Sequence, residues 1–267
     1  MGEIKDMISK QKAFYDNKEK NLVTKIWFYF RNKTLNAFRK NIGLEKEIYE
    51  LHLNWLGDLS KKKVLDLGCY EGNSLSFYMA KNSKKYVGVD LSEKAIKILG
   101  KRLRGIPSAE VYSVDFLSSE FEEMDFDLIY AYGVLHHFKN TGEIIGKLKQ
   151  KLRPEGKIIS YDPLTTSLPI KLLRTFYRPF QTDREWEWPF SKKVYYRYSR
   201  EFEILDRRAV LGRTKWLFMI NLLPIGYDKK EKIGLKWHLK DWELSKYKDA
   251  EMFKCMHLTM LMQTKAR

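Results

Sequence analysis

An apolar strand that breaks at a glycine and runs into a helix constrains this chain more than any other stretch. Residues 64–74 read Val64-Leu-Asp-Leu-Gly-Cys-Tyr-Glu-Gly-Asn-Ser74. The strand runs through Asp66 and ends at Gly68, and a helix opens near Asn73. A glycine-rich turn in that position lets backbone N–H groups approach a ligand closely. The spacing is Gly68-x-x-x-Gly72, and Tyr70 stands where a full G-x-G-x-x-G would place glycine, which weakens a pyrophosphate reading. On its own the turn fits any nucleotide-like ligand.

From residue 63 onward, short apolar strands alternate with amphipathic helices. Strands are predicted at 64–67, 85–90, 109–113, 126–131 and 157–161. Helices are predicted at 73–81, at 93–104 with Ser92 as N-cap, and at 141–152, the last ended by Arg-Pro-Glu-Gly at 153–156. This rhythm predicts a parallel sheet covered on both faces, doubly wound by right-handed crossovers. Ligands in such sheets bind beyond the carboxyl ends of the strands, where the turns carrying Gly68, Asp90, Asp115 and Tyr132 fall. Further strands are expected at 201–206 and 252–265, with helices at 212–223 and 231–245 between them. A strand–helix–strand ending of this kind places the last strand antiparallel between its neighbours. The predicted fold is therefore α/β: a doubly wound, mostly parallel seven-stranded sheet with an antiparallel last strand, an N-terminal helical cap and an insertion after strand five. The expected division is a helical cap at 1–62, a cofactor core at 63–162, an acceptor-site insertion at 163–200 and a completion of the sheet at 201–267. Within the cap, 2–41 reads as helical, and Ile48, Leu51, Trp55 and Leu59 recur at helical spacing in 44–59.

Charge is distributed unevenly. The net charge is +16 over 267 residues. Residues 1–62 carry net +5, residues 63–162 net +1 and residues 163–267 net +10. A basic flank on a neutral core suits an anionic partner such as nucleic acid, phospholipid headgroups or a phosphorylated substrate. A solvated lysine-rich surface is the competing reading. The segment 25–31, Lys-Ile-Trp-Phe-Tyr-Phe-Arg, has basic ends and an aromatic middle, suited to a membrane interface, to closing over a pocket or to packing on the core. Two cysteines support neither a disulfide framework nor a zinc site, and no carboxylate cluster suggests a metal. Residues 1–20 are too charged for a signal peptide, and 216–223 falls far short of a membrane span. A cytoplasmic protein is expected, with peripheral contact at the inner face of a membrane as the extension of that reading.

Asp90 ends strand two, in register with the glycine turn, where a carboxylate can accept hydrogen bonds from both hydroxyls of a ribose. Asp115 can accept from an exocyclic amine and Phe116 can pack on a purine face, although such a pair also suits a plain turn. Taken together, Val64-Leu-Asp-Leu-Gly-Cys-Tyr-Glu-Gly72, Val87-Gly-Val-Asp-Leu-Ser92, Val114-Asp-Phe116, Phe126-Asp-Leu-Ile-Tyr-Ala-Tyr-Gly-Val-Leu-His-His-Phe138 and Leu152-Arg-Pro-Glu-Gly-Lys-Ile158 resemble the class I S-adenosylmethionine (SAM)-dependent methyltransferases. The resemblance implies a Rossmann-like fold with SAM as cofactor. It implies that Asp66, Gly68 and Gly72 shape the methionine side of the pocket, that Asp90 holds the ribose, and that Cys69 and Leu91 belong to the cofactor site. It further implies that Asp115 and Phe116 hold the adenine and that Ala131 and Tyr132 border the methionine. Phe14-Tyr15-Asp16 resembles a segment that closes over SAM in some relatives, which brings in Tyr15. Tyr70 departs from the family's usual glycine.

Methyl transfer needs an in-line nucleophile, and an oxygen nucleophile needs a base. His136 and His137 follow strand four where the methyl group emerges, and an imidazole suits that task near neutral pH; a structural role is the alternative. No Asn-Pro-Pro-Tyr motif follows strand four, which argues against that route to amino methylation. The insertion resembles a bacterial methyltransferase subset with an arginine-rich segment after strand five, which often acts around surface glycans or lipids. Within it, Arg174, Arg178 and Arg184 suit phosphate or carboxylate, or else pair with Asp183, Glu185 and Glu187. Trp186 and Trp188 suit a sugar face or the core. The expected function is O-methylation of a small anionic acceptor linked to a sugar, nucleotide or lipid. The alternatives are RNA methylation through the basic flanks, with no appended RNA-binding module in view, and a non-catalytic SAM-binding or membrane-associated partner.

Overall fold

The computed structural model describes residues 2–17, 22, 25–26, 29, 43–177, 186–220 and 223–265. Helix α1 spans Gly2–Asn17 and α2 spans Leu44–Leu56. Then come β1 (Lys63–Leu67), α3 (Ser74–Asn82), β2 (Lys85–Asp90), α4 (Glu93–Arg102), β3 (Ala109–Ser113) and β4 (Phe126–Tyr132). A 3₁₀ turn at Leu135–His137 leads to α5 (Thr141–Lys151), β5 (Leu152–Pro163), α6 (Leu168–Tyr177), α7 (Lys192–Glu201) and β6 (Phe202–Val210). A 3₁₀ turn at Thr214–Trp216, α8 (Leu217–Ile220), α9 (Tyr227–Tyr247), α10 (Asp249–Met252) and β7 (His257–Thr264) complete the order.

The strands form one seven-stranded sheet in the order β3-β2-β1-β4-β5-β7-β6. The pairings β1–β2, β1–β4, β2–β3 and β4–β5 are parallel. β7 runs antiparallel to both β5 and β6, between them, as the sequence pattern predicted. Period-two alternation divides the strand side chains between two cores. Leu65, Leu67, Val87, Val89, Ile129 and Ile158 face the layer that includes α5 and α7. Val64, Tyr86, Leu128, Tyr130 and Ile159 face the layer built on α2, α3 and α4. Burial on both faces explains why these strands read as continuous apolar runs.

Side-chain caps set the helix starts. Asn73 accepts from Leu75 and Ser76 N–H, and Ser76 returns a bond to Asn73 N–H, so α3 starts at Ser74 rather than 73. Ser92 caps α4 as expected. The Arg-Pro-Glu-Gly stretch ends α5 but is carried within β5 as a bulge: Phe126 pairs with Leu152, and the register resumes at Leu128 with Lys157. Three other expectations shift. Asp241 takes the N–H groups of Gly212, Arg213 and Thr214, so the helix expected at 212–223 breaks into a 3₁₀ turn and α8. The strand expected from 252 begins at His257, because Phe253 and Cys255 N–H turn back onto Asp249 and Met252. Within the stretch expected as an insertion, α7 buries Tyr195 and Tyr198 against the sheet's core.

A buried histidine ties the helical cap to the sheet. Thr259 donates to the Ser160 carbonyl (2.7 Å) and so accepts from His52 Nε2–H (2.7 Å), while His52 Nδ1 accepts from the Tyr130 hydroxyl (3.2 Å). Burial pulls the ring's pKa down to about 3, so it is neutral. Of the segment 25–31, Lys25, Ile26 and Tyr29 are described and are exposed; its other residues lie outside the described set. Among the described residues no helix is long and apolar enough to cross a membrane.

Candidate active site

A cavity of about 1060 Å³ opens at the carboxyl ends of β1, β2 and β4. Its floor is the turn after β1. Gly68 has φ +70° and passes so close to Val134 that a Cβ there would lie 2.6 Å from Val134 Cγ2. Tyr70 also adopts a left-handed conformation, at φ +46°, where a glycine would be unstrained. Two contacts hold it: its N–H donates to Asp90 Oδ2 (3.0 Å), and its hydroxyl donates to the Tyr15 carbonyl (3.3 Å). The residue that departs from the glycine pattern is therefore part of the cavity wall.

Asp90 lies at the end of β2. Oδ1 accepts from Ser92 N–H (2.9 Å) and Oδ2 from Tyr70 N–H (3.0 Å), so both oxygens are fixed by backbone and each keeps a lone pair. Burial raises its pKa, and the backbone hydrogen bonds oppose that rise. Leu91, Asp115 and Phe116 continue the wall. Asp115 Oδ1 accepts from Leu117 N–H (2.9 Å), which fixes the carboxylate in a tight turn. Phe116 is rooted in the core beside Phe121, with ring centroids 5.8 Å apart.

Opposite lie Tyr132, Gly133, Val134 and His137, at the end of β4 and in the 3₁₀ turn that follows. His137 Nδ1 faces the Trp186 carbonyl at 2.7 Å, which requires the proton on Nδ1. Nε2 then carries a lone pair and accepts from the Tyr15 hydroxyl (3.1 Å). Burial, with the neighbouring His136, pulls the His137 pKa down to about 3, so the ring is neutral. His136 turns away from the cavity: its N–H and Nδ1 both reach Asp162 Oδ1, at 3.1 and 2.9 Å. A strap at residues 186–190 secures this turn, with Trp188 N–H on the His136 carbonyl (2.7 Å) and Phe190 N–H on Pro163 (2.8 Å).

Helix α1 covers the cavity. Gln11, Phe14 and Tyr15 line it, and Phe14 packs on Trp186 with centroids 5.5 Å apart. The helix is fastened at its end by Asp16, which accepts from Ser92 Oγ (2.5 Å), and by a Lys12–Glu93 ion pair (2.5 Å).

Four residues expected at the pocket lie behind its wall. Asp66 is buried and accepts from the Tyr86 hydroxyl (2.8 Å) and from Ser76. Gly72 leaves no room beside Leu99, whose Cδ1 would lie 2.7 Å from an added Cβ. Cys69 is buried, and burial pushes its thiol pKa up. Ala131 is core. Trp186 is buried beside the cavity and Trp188 lines a neighbouring one. Arg174 is on α6, but its side chain, like Arg178 and Arg184 altogether, lies outside the described residues. Wall residues not anticipated include Gln11, Lys139, Asn140 and Glu143. Asn140 carried the one usable signal, as the N-cap of α5.

Asp66 yields a test that separates support from binding. Its folded pKa is raised from 3.8 to about 6 by burial. A raised carboxyl pKa contributes stability that is complete below 3.8 and is lost as pH rises through about 6, on the order of 3 kcal/mol in all. Asp66→Asn should remove this fall between pH 4 and 6 in denaturant unfolding while changing SAM affinity little. A large loss of affinity at unchanged stability would place Asp66 at the ligand instead.

The donor set fits SAM. A backbone-fixed carboxylate suits a pair of ribose hydroxyls, and an aspartate beside a phenyl ring suits an aminopurine. The volume slightly exceeds the roughly 300–1,000 Å³ of a single-ligand pocket, leaving room for an acceptor. Fold and site have the layout of the class I SAM-dependent methyltransferases. A methyltransferase-domain family model matches residues 36–204, more than half of the chain, and the chain belongs to that family. It is 32% identical over 121 residues to a ubiquinone biosynthesis O-methyltransferase of Aromatoleum aromaticum, covering 42% of this chain and 50% of that one. It is 28% identical over 156 residues to 24-methylenesterol C-methyltransferase 2 of Oryza sativa, covering 55% and 43%. The chain thus spans about half the length of the curated relatives it matches. The N-methyltransferase NodS of Bradyrhizobium japonicum, solved with S-adenosyl-L-homocysteine, shares the fold with a TM-score of 0.54 at 14% identity, over 87% of this chain and 99% of that one.

Proposed function

We propose that this protein transfers a methyl group from SAM to a hydroxyl of a small anionic acceptor, linked to a sugar, a nucleotide or a lipid. The observation that carries the reading is the neutral His137–Tyr15 pair facing a cavity whose far wall presents Asp90. Bound SAM supplies the electrophilic methyl group. Asp90 accepts from the ribose hydroxyls, Leu91 and Phe116 flank the adenine, and Asp115 accepts from its amine. Tyr132 and Gly133, with the backbone at Gly68, border the methionine end. His137 Nε2 takes the acceptor's proton, alone or through the Tyr15 hydroxyl, while the Trp186 carbonyl keeps the ring in the tautomer that can do so. Helix α1 excludes water. Lys139 on the rim and the basic flanks favour a negatively charged acceptor.

Formation of S-adenosylhomocysteine across a set of sugar nucleotides, phosphorylated sugars and neutral hydroxyl compounds tests this. Turnover confined to the anionic members is expected. Turnover confined to neutral acceptors overturns the acceptor class, and absence of SAM binding overturns the reaction.

A further inference from the structure

Away from the cavity, a groove of about 530 Å³ lies between the start of α6, the β6–α8 connection and α10. Lys192, Arg213, Lys215 and Lys254 line it. Two carboxylates face these cations. Asp241 and Glu251 pair with Arg213 at 3.0 and 2.7 Å, and Glu251 also pairs with Lys254 at 2.7 Å. Lys192 and Lys215 have no ion pair among the described residues. Lys215 is the informative one: it is only 6% exposed, and its ammonium donates to the Lys254 backbone carbonyl. The Trp216 ring face lies 5.8 Å from that ammonium and Asp241 acts on it at longer range, but no anion pairs with it directly among the described residues, and an anion in the groove would favour it further.

The groove is continuous with an apolar surface. Leu168 lines the groove and begins α6. Leu168, Leu172 and Phe176 are 72%, 62% and 77% exposed, and their spacing of four residues puts them on one stripe of the helix. Met219 on α8, shortly after Trp216 in the groove, is also exposed. A free phosphate needs no such stripe, whereas apolar side chains beside unpaired lysines match a bilayer interface, which combines acyl chains with anionic headgroups.

We infer that this groove and the α6 stripe dock the protein on an anionic phospholipid surface, with a headgroup phosphate among Lys192, Lys215 and Lys254 and the leucine–phenylalanine stripe in the interface.

The test is co-sedimentation of the full chain with phosphatidylcholine vesicles and with the same vesicles containing phosphatidylglycerol. Binding only to the second kind is expected. Lys192→Gln and Lys254→Gln, both at exposed positions, should each weaken it about fivefold. Leu172→Ser combined with Phe176→Ser should weaken it at least about tenfold. Unchanged thermal melting of the variants shows that they fold. Equal binding to neutral vesicles overturns the inference. So does anionic-vesicle binding that survives all of these substitutions, which would assign it to another basic stretch. Binding of inorganic phosphate in the groove without vesicle binding identifies a soluble-anion site and likewise overturns it.

Discussion

His137→Ala should lower turnover about 100-fold or more while leaving SAM affinity nearly intact. A positioned general base contributes roughly 10²–10⁴ in rate when its pKa lies near the working pH, and a ring held at about 3 belongs at the low end of that range; Nε2 is the lone pair that faces the cavity beside Tyr15. Tyr15→Phe keeps the ring but removes the hydroxyl, and a smaller loss is expected there, in kcat more than in KM. The pH profile adds an independent check. The ring's pKa lies at about 3, because burial and its neighbour disfavour the cation. His137 therefore stays neutral from pH 5 to 8 and should impose no acid limb on kcat in that range. An acid limb near 6.5, abolished in His137→Ala, would mean that the working ring is open to water. Full turnover in His137→Ala would remove it as the base.

Asp90→Ala should weaken SAM binding by about two orders of magnitude or more. Two hydrogen bonds to an ionised carboxylate contribute roughly 1.5–3 kcal/mol each, and both Asp90 oxygens are aligned by backbone N–H groups before any ligand arrives. The carboxylate is itself desolvated, so its removal need not unfold the protein. Calorimetric titration of SAM, with thermal melting of the free variant as control, reads the effect. Asp90→Asn, which keeps one acceptor, should fall between the two. Unchanged affinity in Asp90→Ala would refute the cofactor assignment.

The strand ends were legible because strand, turn and helix cap follow one another locally: Gly68, Asp90, Asp115 and Tyr132 all reach one cavity. Asp66 lies behind the wall because it is level with Gly88 and Tyr130, one pleat deeper on the face that carries Asp90 and Tyr132, and Ala131 packs into the core; a motif does not state how far from the strand end a side chain must lie to reach the ligand. The sequence singled out Tyr15 and His137 separately, but their contact joins residues 122 positions apart. The group that sets the His137 tautomer is a backbone carbonyl, at Trp186, and a carbonyl has no residue signature. Similarly, the break in the helix expected at 212–223 depends on Asp241, nearly thirty residues downstream.

The placement of β7 between β5 and β6 has a consequence for how the chain reaches its final form. Among the described residues β6 pairs in the sheet with β7 alone, and residues 211–256 intervene between them. Until residues 257–264 arrive, five parallel strands end at a bare β5 edge, which offers unpaired N–H and carbonyl groups to any extended chain nearby. During synthesis the assembly therefore closes late and over a long loop. That makes the nascent protein most prone to aggregation just before β7 inserts.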